Sequence, residues 1–194
     1  GAVLREVGTT NRTYARDYDA AINEDTKAIL RVHQSNFQIE GFSTRPSCPD
    51  LSAVARKHDI PLISDLGSGT FAPLPEALED HSDPRRELAE GADLVCFSGD
   101  KVLGGPQCGI ILGRADLVHR LSKHPLARAL RVCKLTLAAL DHTLMAYRAD
   151  KSEDVPVWAM MHASITSLRE RAEVMMEGLG DIDAELSVVT CTDP

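Results

Sequence analysis

No apolar run in this 194-residue chain comes near the ~20 residues needed to cross a bilayer. The opening GAVLREVGTTNR lacks a signal peptide's basic-then-apolar layout, so membrane-spanning and secreted classes are set aside. Basic charge is in short supply: 21 Lys and Arg stand against 29 Asp and Glu, a formal net charge of −8, where a dedicated nucleic-acid module would show a basic face. Paired cysteines are missing too. The five cysteines, at positions 48, 96, 108, 133 and 191, form no C-x-x-C pair and are odd in number, which fits a reducing, cytoplasmic compartment. The seven histidines are scattered singly, so no metal site is expected. Internal repeats and low-complexity tracts are also lacking. What remains, 43% hydrophobic and 26% charged, is the composition of a globular chain with enough apolar material for a core.

Four short runs have β character: Ile29 to His33 (ILRVH), Pro61 to Leu66 (PLISDL), Asp93 to Ser98 (DLVCFS) and Gly109 to Gly113 (GIILG). Between the first two, LSAVARKH predicts a helix capped by Asp50, with Leu51, Val54 and Ala55 on one face. The polar stretch PEALEDHSDPRRELAEG before the third run predicts a surface excursion and a short helix near Pro84. Strands alternating with helices predict an α/β fold, a mostly parallel sheet with helices on both faces. In such sheets ligands bind beyond the carboxyl ends of the strands. After Arg114 the pattern turns helical, in DLVHRLSKH and then TLAALDHTLMAYR, where Leu137, Leu140, Leu144 and Tyr147 recur at helical spacing as packing residues. The polar ADKSED reads as a linker and divides a large domain over residues 1–150 from an incomplete C-terminal α+β domain over 151–194. Within that C-terminal domain a single long helix is expected from about Trp158 to about Leu179, with Met161, Ile165, Leu168, Ala172 and Met175 on its apolar face. The tail AELSVVTCTDP reads as a first strand.

The segment FSGDKVLGGPQCG sets Lys101 directly after an apolar strand, preceded by Ser98 and Asp100 and followed by a Gly-Gly-Pro turn. A loop lysine is most often a surface charge. A lysine at a strand end, partly desolvated, is also what attack on a carbonyl needs. Asp65, in LISDLGSG, likewise ends an apolar strand. As an alternative to capping a turn, such an Asp keeps a pyridine nitrogen protonated and makes pyridoxal phosphate an electron sink. Ser98 is either an ordinary turn residue or a hydroxyl for the cofactor phosphate.

Together with GAVLREVGTTNRT, ILRVHQSNFQIEGF, IPLISDLGSG, GADLVCFSGDKVLGGPQCGIILG and HPLARALRVCKLTLAALDHTL, this segment closely resembles the bacterial selenocysteine synthases. These L-seryl-tRNA(Sec) selenium transferases have the aspartate aminotransferase-like fold type I of pyridoxal-phosphate enzymes, and the matching stretches cover most of residues 1–147. The resemblance implies that Lys101 carries the cofactor, that Asp65 pairs with its ring nitrogen, and that Ser98 and Asp100 belong to the cofactor site. It also places Asn36 near the phenolic oxygen, with His33 and Ser35 as neighbouring competitors. Arg128 and Arg131 in HPLARALR would line the site of an anionic selenium donor, selenophosphate; if that segment is helical, their spacing puts both on one face. The implied reaction converts seryl-tRNA(Sec) to selenocysteinyl-tRNA(Sec) through an aminoacrylyl intermediate in a cytoplasmic homo-oligomer built from dimers. The tRNA would be gripped mainly by a small domain preceding residue 1, and a portion of the cofactor site would precede it too. Two positions depart from the family pattern: Cys108 stands where GGPQAG has Ala, and Cys133 where RVDK has Asp. Two rivals share the same residues: a related pyridoxal-phosphate lyase acting on a small amino compound without tRNA, and a catalytically inactive scaffold.

Overall fold

Apolar runs bounded by polar residues or glycine form the four strands: β1 (Ile29–Val32), β2 (Leu62–Ser68), β3 (Leu94–Ser98) and β4 (Gly109–Gly113). The structure, a computed structural model, describes residues 2–34, 39, 41–74, 83–179 and 187. The strands lie in the order β1-β2-β3-β4; the first three are parallel and β4 runs antiparallel to β3. The fold is therefore α/β with a mostly parallel sheet, as the alternation predicts. The parallel pairs are joined through α2 (Cys48–Lys57) and α3 (Pro84–Ala89), while α1 (Ala15–Ala21) precedes β1.

Helix α2 starts earlier than expected. Its cap is Ser47, whose hydroxyl oxygen accepts the Asp50 amide at 3.3 Å while the Asp50 carboxylate accepts the Ser47 amide at 3.1 Å. Asp50 thus sits inside the first turn as the second half of a capping box.

Ile29, Leu62, Leu66, Val95 and Phe97 form the core with Leu51 and Ala55 of α2. Period-two alternation sends the intervening side chains to the other face, where Leu30, Val32 and Ile111 are 45%, 63% and 45% exposed. Among the described residues the helical cover is thus uneven. A polar cluster crosses the core face: both carboxylate oxygens of Glu87 lie 2.7 to 2.8 Å from the Arg31 guanidinium, and one accepts the Ser64 hydroxyl at 2.7 Å. Burial pushes the Glu87 carboxyl up, but Ser64 and Arg31 outweigh it and hold the group below its ordinary value. Burial and the neighbouring Glu87 charge push the Cys48 thiol up to about 12, so Cys48 is a packed thiol.

Helices α4 (Ala115–Lys123), α5 (Pro125–Ala129) and α6 (Lys134–Arg148) follow β4. The single long helix expected from Trp158 is instead two, α7 (Pro156–Met161) and α8 (Ile165–Gly178), because Ser164 caps a new start by accepting the Ser167 amide at 3.1 Å. Trp158 of α7 is 1% exposed, whereas Ile165 and Met175 of α8 are 71% and 68% exposed. The strand expected in AELSVVTCTDP lies, apart from Ser187, outside the described residues. Among the described residues no helix is long and apolar enough to cross a membrane.

Candidate active site

Asp65 lies beside Val32 of β1 and Cys96 of β3 in the parallel register. Immediately after it the β2 register slips, and Gly67 takes a φ of 64°, a left-handed conformation that costs a glycine little. The Gly67 amide donates to Asp65 Oδ1 at 3.0 Å, and the Asp65 carbonyl accepts the His33 amide at 2.8 Å. The carboxylate is thereby held in a set orientation at the middle of β2, which continues past the bulge to Ser68, so Asp65 does not end its strand as the sequence suggests. Burial, reinforced by the Asp65 charge, raises the pKa of the Cys96 thiol.

Lys101 stands at the apex of a closed turn. The Gly99 amide donates to the Cys108 carbonyl at 2.8 Å, the Gly105 amide to the Gly99 carbonyl at 2.8 Å, and the Gly104 amide to the Lys101 carbonyl at 2.9 Å. Glycine is required at 99: a Cβ there would lie 2.5 Å from Cys108 Sγ and 2.8 Å from the Pro106 carbonyl oxygen. Leu103 anchors the turn in the core at 0% exposure, while Lys101 itself is exposed. The described residues therefore do not supply the desolvation expected of its amine.

Ser68, which in the sequence is one more residue of a glycine-rich turn, pairs in register with Ser98 and accepts the Val102 amide at 3.3 Å. The ends of β2 and β3 so bring Ser68, Ser98 and the Lys101 turn together beyond the carboxyl ends of the two inner strands, with Asp65 three residues back along β2. Asp100 is exposed on the same turn, and its charge adds to burial in raising the Cys108 thiol. Asn36 and Ser35 lie outside the described residues. His33 is half-buried and lines a cavity of about 190 Å³ with Arg31, Arg45, Thr10 and Thr13.

The shared face of Arg128 and Arg131, expected if HPLARALR is helical, does not form. Helix α5 ends at Ala129, so Arg128 lies in its last turn and Arg131 beyond its Leu130 cap. Both are exposed. Cys133 stands at the N-cap of α6 with its sulfur 3.4 Å from the Thr136 hydroxyl; that bond and the first amides of the helix hold its thiol below the usual value.

A family model described as "SelA: L-seryl-tRNA selenium transferase" matches residues 1–193. The chain belongs to the L-seryl-tRNA selenium transferase family. Among curated selenium transferases, that of Desulfovibrio desulfuricans is 56% identical over 148 residues, covering 76% of this chain and 31% of the relative. That of Geobacter metallireducens is 46% identical over 175 residues, 89% of this chain and 38% of the relative. That of Klebsiella pneumoniae is 43% identical over 196 residues, 98% and 42%. The chain thus spans between about three and four tenths of the length of these selenium transferases. Among solved structures, D-glucosaminate-6-phosphate ammonia-lyase superposes with a TM-score of 0.61 at 26% identity, over 87% of this chain and 40% of that one.

Proposed function

We propose that the protein containing this chain is a pyridoxal-phosphate enzyme that converts seryl-tRNA(Sec) to selenocysteinyl-tRNA(Sec), with selenophosphate as the selenium donor. The observation that carries the reading is that Ser68, three residues after Asp65 on β2, pairs with Ser98 and accepts the Val102 amide, so the Lys101 turn is tied to the end of the strand that carries Asp65, in a chain of this family. The residues fit the cofactor's chemistry. Lys101 offers an accessible amine for its carbonyl, Asp65 an anchored carboxylate for its ring nitrogen, and the paired Ser68 and Ser98 offer hydroxyls for its phosphate. Asn36 is assigned to its phenolic oxygen, and Asp100 to the turn that presents Lys101.

When bound, pyridoxal phosphate supplies an electron sink for a carbanion at the serine Cα. Asp65 sustains that sink by keeping a negative charge fixed near the ring nitrogen. Lys101 would hold the cofactor through its amine and, as a free amine, would be the base for the Cα proton. Across the whole reaction the serine Cβ–O bond breaks with loss of water, a Cβ–Se bond forms, and the P–Se bond of the donor is hydrolysed to release phosphate. Arg128 and Arg131 present guanidinium forks to the anionic donor. The tRNA is gripped mainly by a domain upstream of this chain, the assembly is a homo-oligomer of dimers, and the compartment is the cytoplasm.

Borohydride reduction of the cofactor-loaded protein, with peptide mass spectrometry, tests the reading: the adduct is expected on Lys101. Label on another lysine overturns the assignment of Lys101, and no label at all overturns the reading and leaves the inactive scaffold. The similarity to the ammonia-lyase favours a second reading, elimination from a small amino compound without tRNA. Turnover of a phosphorylated amino sugar acid with no turnover of seryl-tRNA(Sec) would decide for it.

A further inference from the structure

Leu103, near the end of the Lys101 turn, is buried, and its carbonyl oxygen accepts a 2.8 Å hydrogen bond from the Tyr147 hydroxyl, 44 positions along the chain on α6. The same phenolic oxygen accepts the indole N–H of Trp158 on α7, so the hydroxyl donates one bond and accepts one. The ring is gripped as well: it meets Phe71 edge to face at 6.2 Å and Trp158 at 6.4 Å. Phe71 in turn meets Phe97 of β3 at 6.1 Å. A Cβ at Gly104 would lie 2.5 Å from Val155 Cγ1 and 2.7 Å from Val157 Cγ1, and its φ of 73° is one that side chains rarely adopt.

We propose that Tyr147 is a positioning residue for Lys101: its hydroxyl, through the Leu103 carbonyl, sets how the turn projects the lysine toward Asp65. The inference rests on the assignment of Lys101 as the cofactor lysine. Two buried polar groups depend on this one hydroxyl. Without it, the Leu103 carbonyl and the Trp158 indole N–H, on residues only 0% and 1% exposed, lose their shared partner. The turn can relieve its carbonyl by tipping toward water, and the Lys101 Cα moves with it. A tyrosine that only filled space would do none of this, because Tyr147→Phe keeps the ring and its edge contacts.

The test uses the whole protein loaded with pyridoxal phosphate, as wild type, Tyr147→Phe and Trp158→Phe. Three quantities are read: the borohydride adduct, the pH midpoint of the long-wavelength absorbance of the lysine-bound cofactor, and Tm. Wild type is expected to be labelled on Lys101. Tyr147→Phe is expected to move the midpoint by about half a pH unit or more, while Trp158→Phe, which spares the Leu103 bond, lowers Tm but moves the midpoint by less than about 0.2. Tyr147→3-fluorotyrosine, nearly isosteric and a stronger donor, is expected to move the midpoint opposite to Tyr147→Phe, and it keeps the test intact should the phenylalanine variant fail to fold. An unmoved midpoint in the variants at 147, or a shift in Trp158→Phe as large as theirs, overturns the positioning role and leaves Tyr147 as packing. Absence of label on Lys101 in wild type overturns the lysine assignment itself, a distinct failure read before any variant.

Discussion

Arg31 and Glu87, 56 positions apart, meet at 2.7 Å across the core face of the sheet, with the Glu87 side chain 2% exposed. Their link fastens α3 to β1, and through Ser64 to β2, immediately below Asp65. Removing one charge from a buried pair leaves the other without its partner, so Glu87→Gln is expected to cost about 3 kcal/mol of stability. The pH dependence has a definite sign. Because the Glu87 pKa is lower folded than unfolded, its contribution is complete above the ordinary value of 4.5 and drains away as pH falls through the folded value. Urea melts across that acid range should show wild type losing stability more steeply than Glu87→Gln; parallel curves would refute the assignment.

Gly99 and Cys108 define a second sensitive point. A methyl at 99 would collide with Cys108 Sγ and with the Pro106 carbonyl oxygen, so Gly99→Ala must open the turn that carries Lys101. Overpacking of this kind costs about 1–3 kcal/mol. Adding Cys108→Ala removes the sulfur but not the carbonyl, so the double variant should recover some of the loss in Tm. Full recovery would mean that the Pro106 carbonyl yields freely; none would mean that the sulfur was never the obstacle.

Asp65→Asn keeps the shape and the bond from the Gly67 amide while deleting the charge. Under the proposed function, the rate with saturating seryl-tRNA(Sec) should fall by about 10²-fold or more, as when other preorganised electrostatic groups are removed. A cofactor-independent signature accompanies it. The Asp65 charge contributes, after burial, to the raised Cys96 pKa, so the variant's Cys96 should be alkylated faster at alkaline pH. Faster alkylation with an unchanged turnover rate would separate the electrostatics, then correct, from the catalytic role, then wrong.

The strands were legible because each is a short apolar run with a local stop, and the sheet end beyond which the Lys101 turn lies followed from parallel topology alone. Boundaries set by competing caps were less so: Ser47 and Asp50 are both good caps, and only their reciprocal bonds show which one starts α2. The break before Ile165 escaped because Met161, Ile165 and Leu168 keep helical spacing across it, while the capping bond is made by a single serine. Arg31 with Glu87, Ser68 with Val102 and Tyr147 with Leu103 had no local signal at all. Each joins residues more than thirty positions apart, and only the closed fold brings them together.

A shared face for Arg128 and Arg131 requires HPLARALR to be helical throughout, and the end of α5 at Ala129 rules that out, which changes what their variants should do. Arg128 is held on the last turn of a short helix, whereas Arg131 sits on the extended link into α6, two residues before the Cys133 cap. If both grip an anionic selenium donor, each contributes a charge-assisted bond worth about 1.5–3 kcal/mol, and Arg128→Ala or Arg131→Ala should raise the half-saturating donor concentration by about tenfold or more. The Lys101 adduct yield should stay the same, because neither arginine is assigned to the cofactor. Arg→Lys should rescue position 131 better than 128, since a flexible ammonium can adapt from an extended link more readily than it can replace a fork fixed on a helix. Exposed arginines that make only surface ion pairs are worth about 0–1 kcal/mol, so a donor dependence that stays within about twofold of wild type in both alanine variants would remove them from the site.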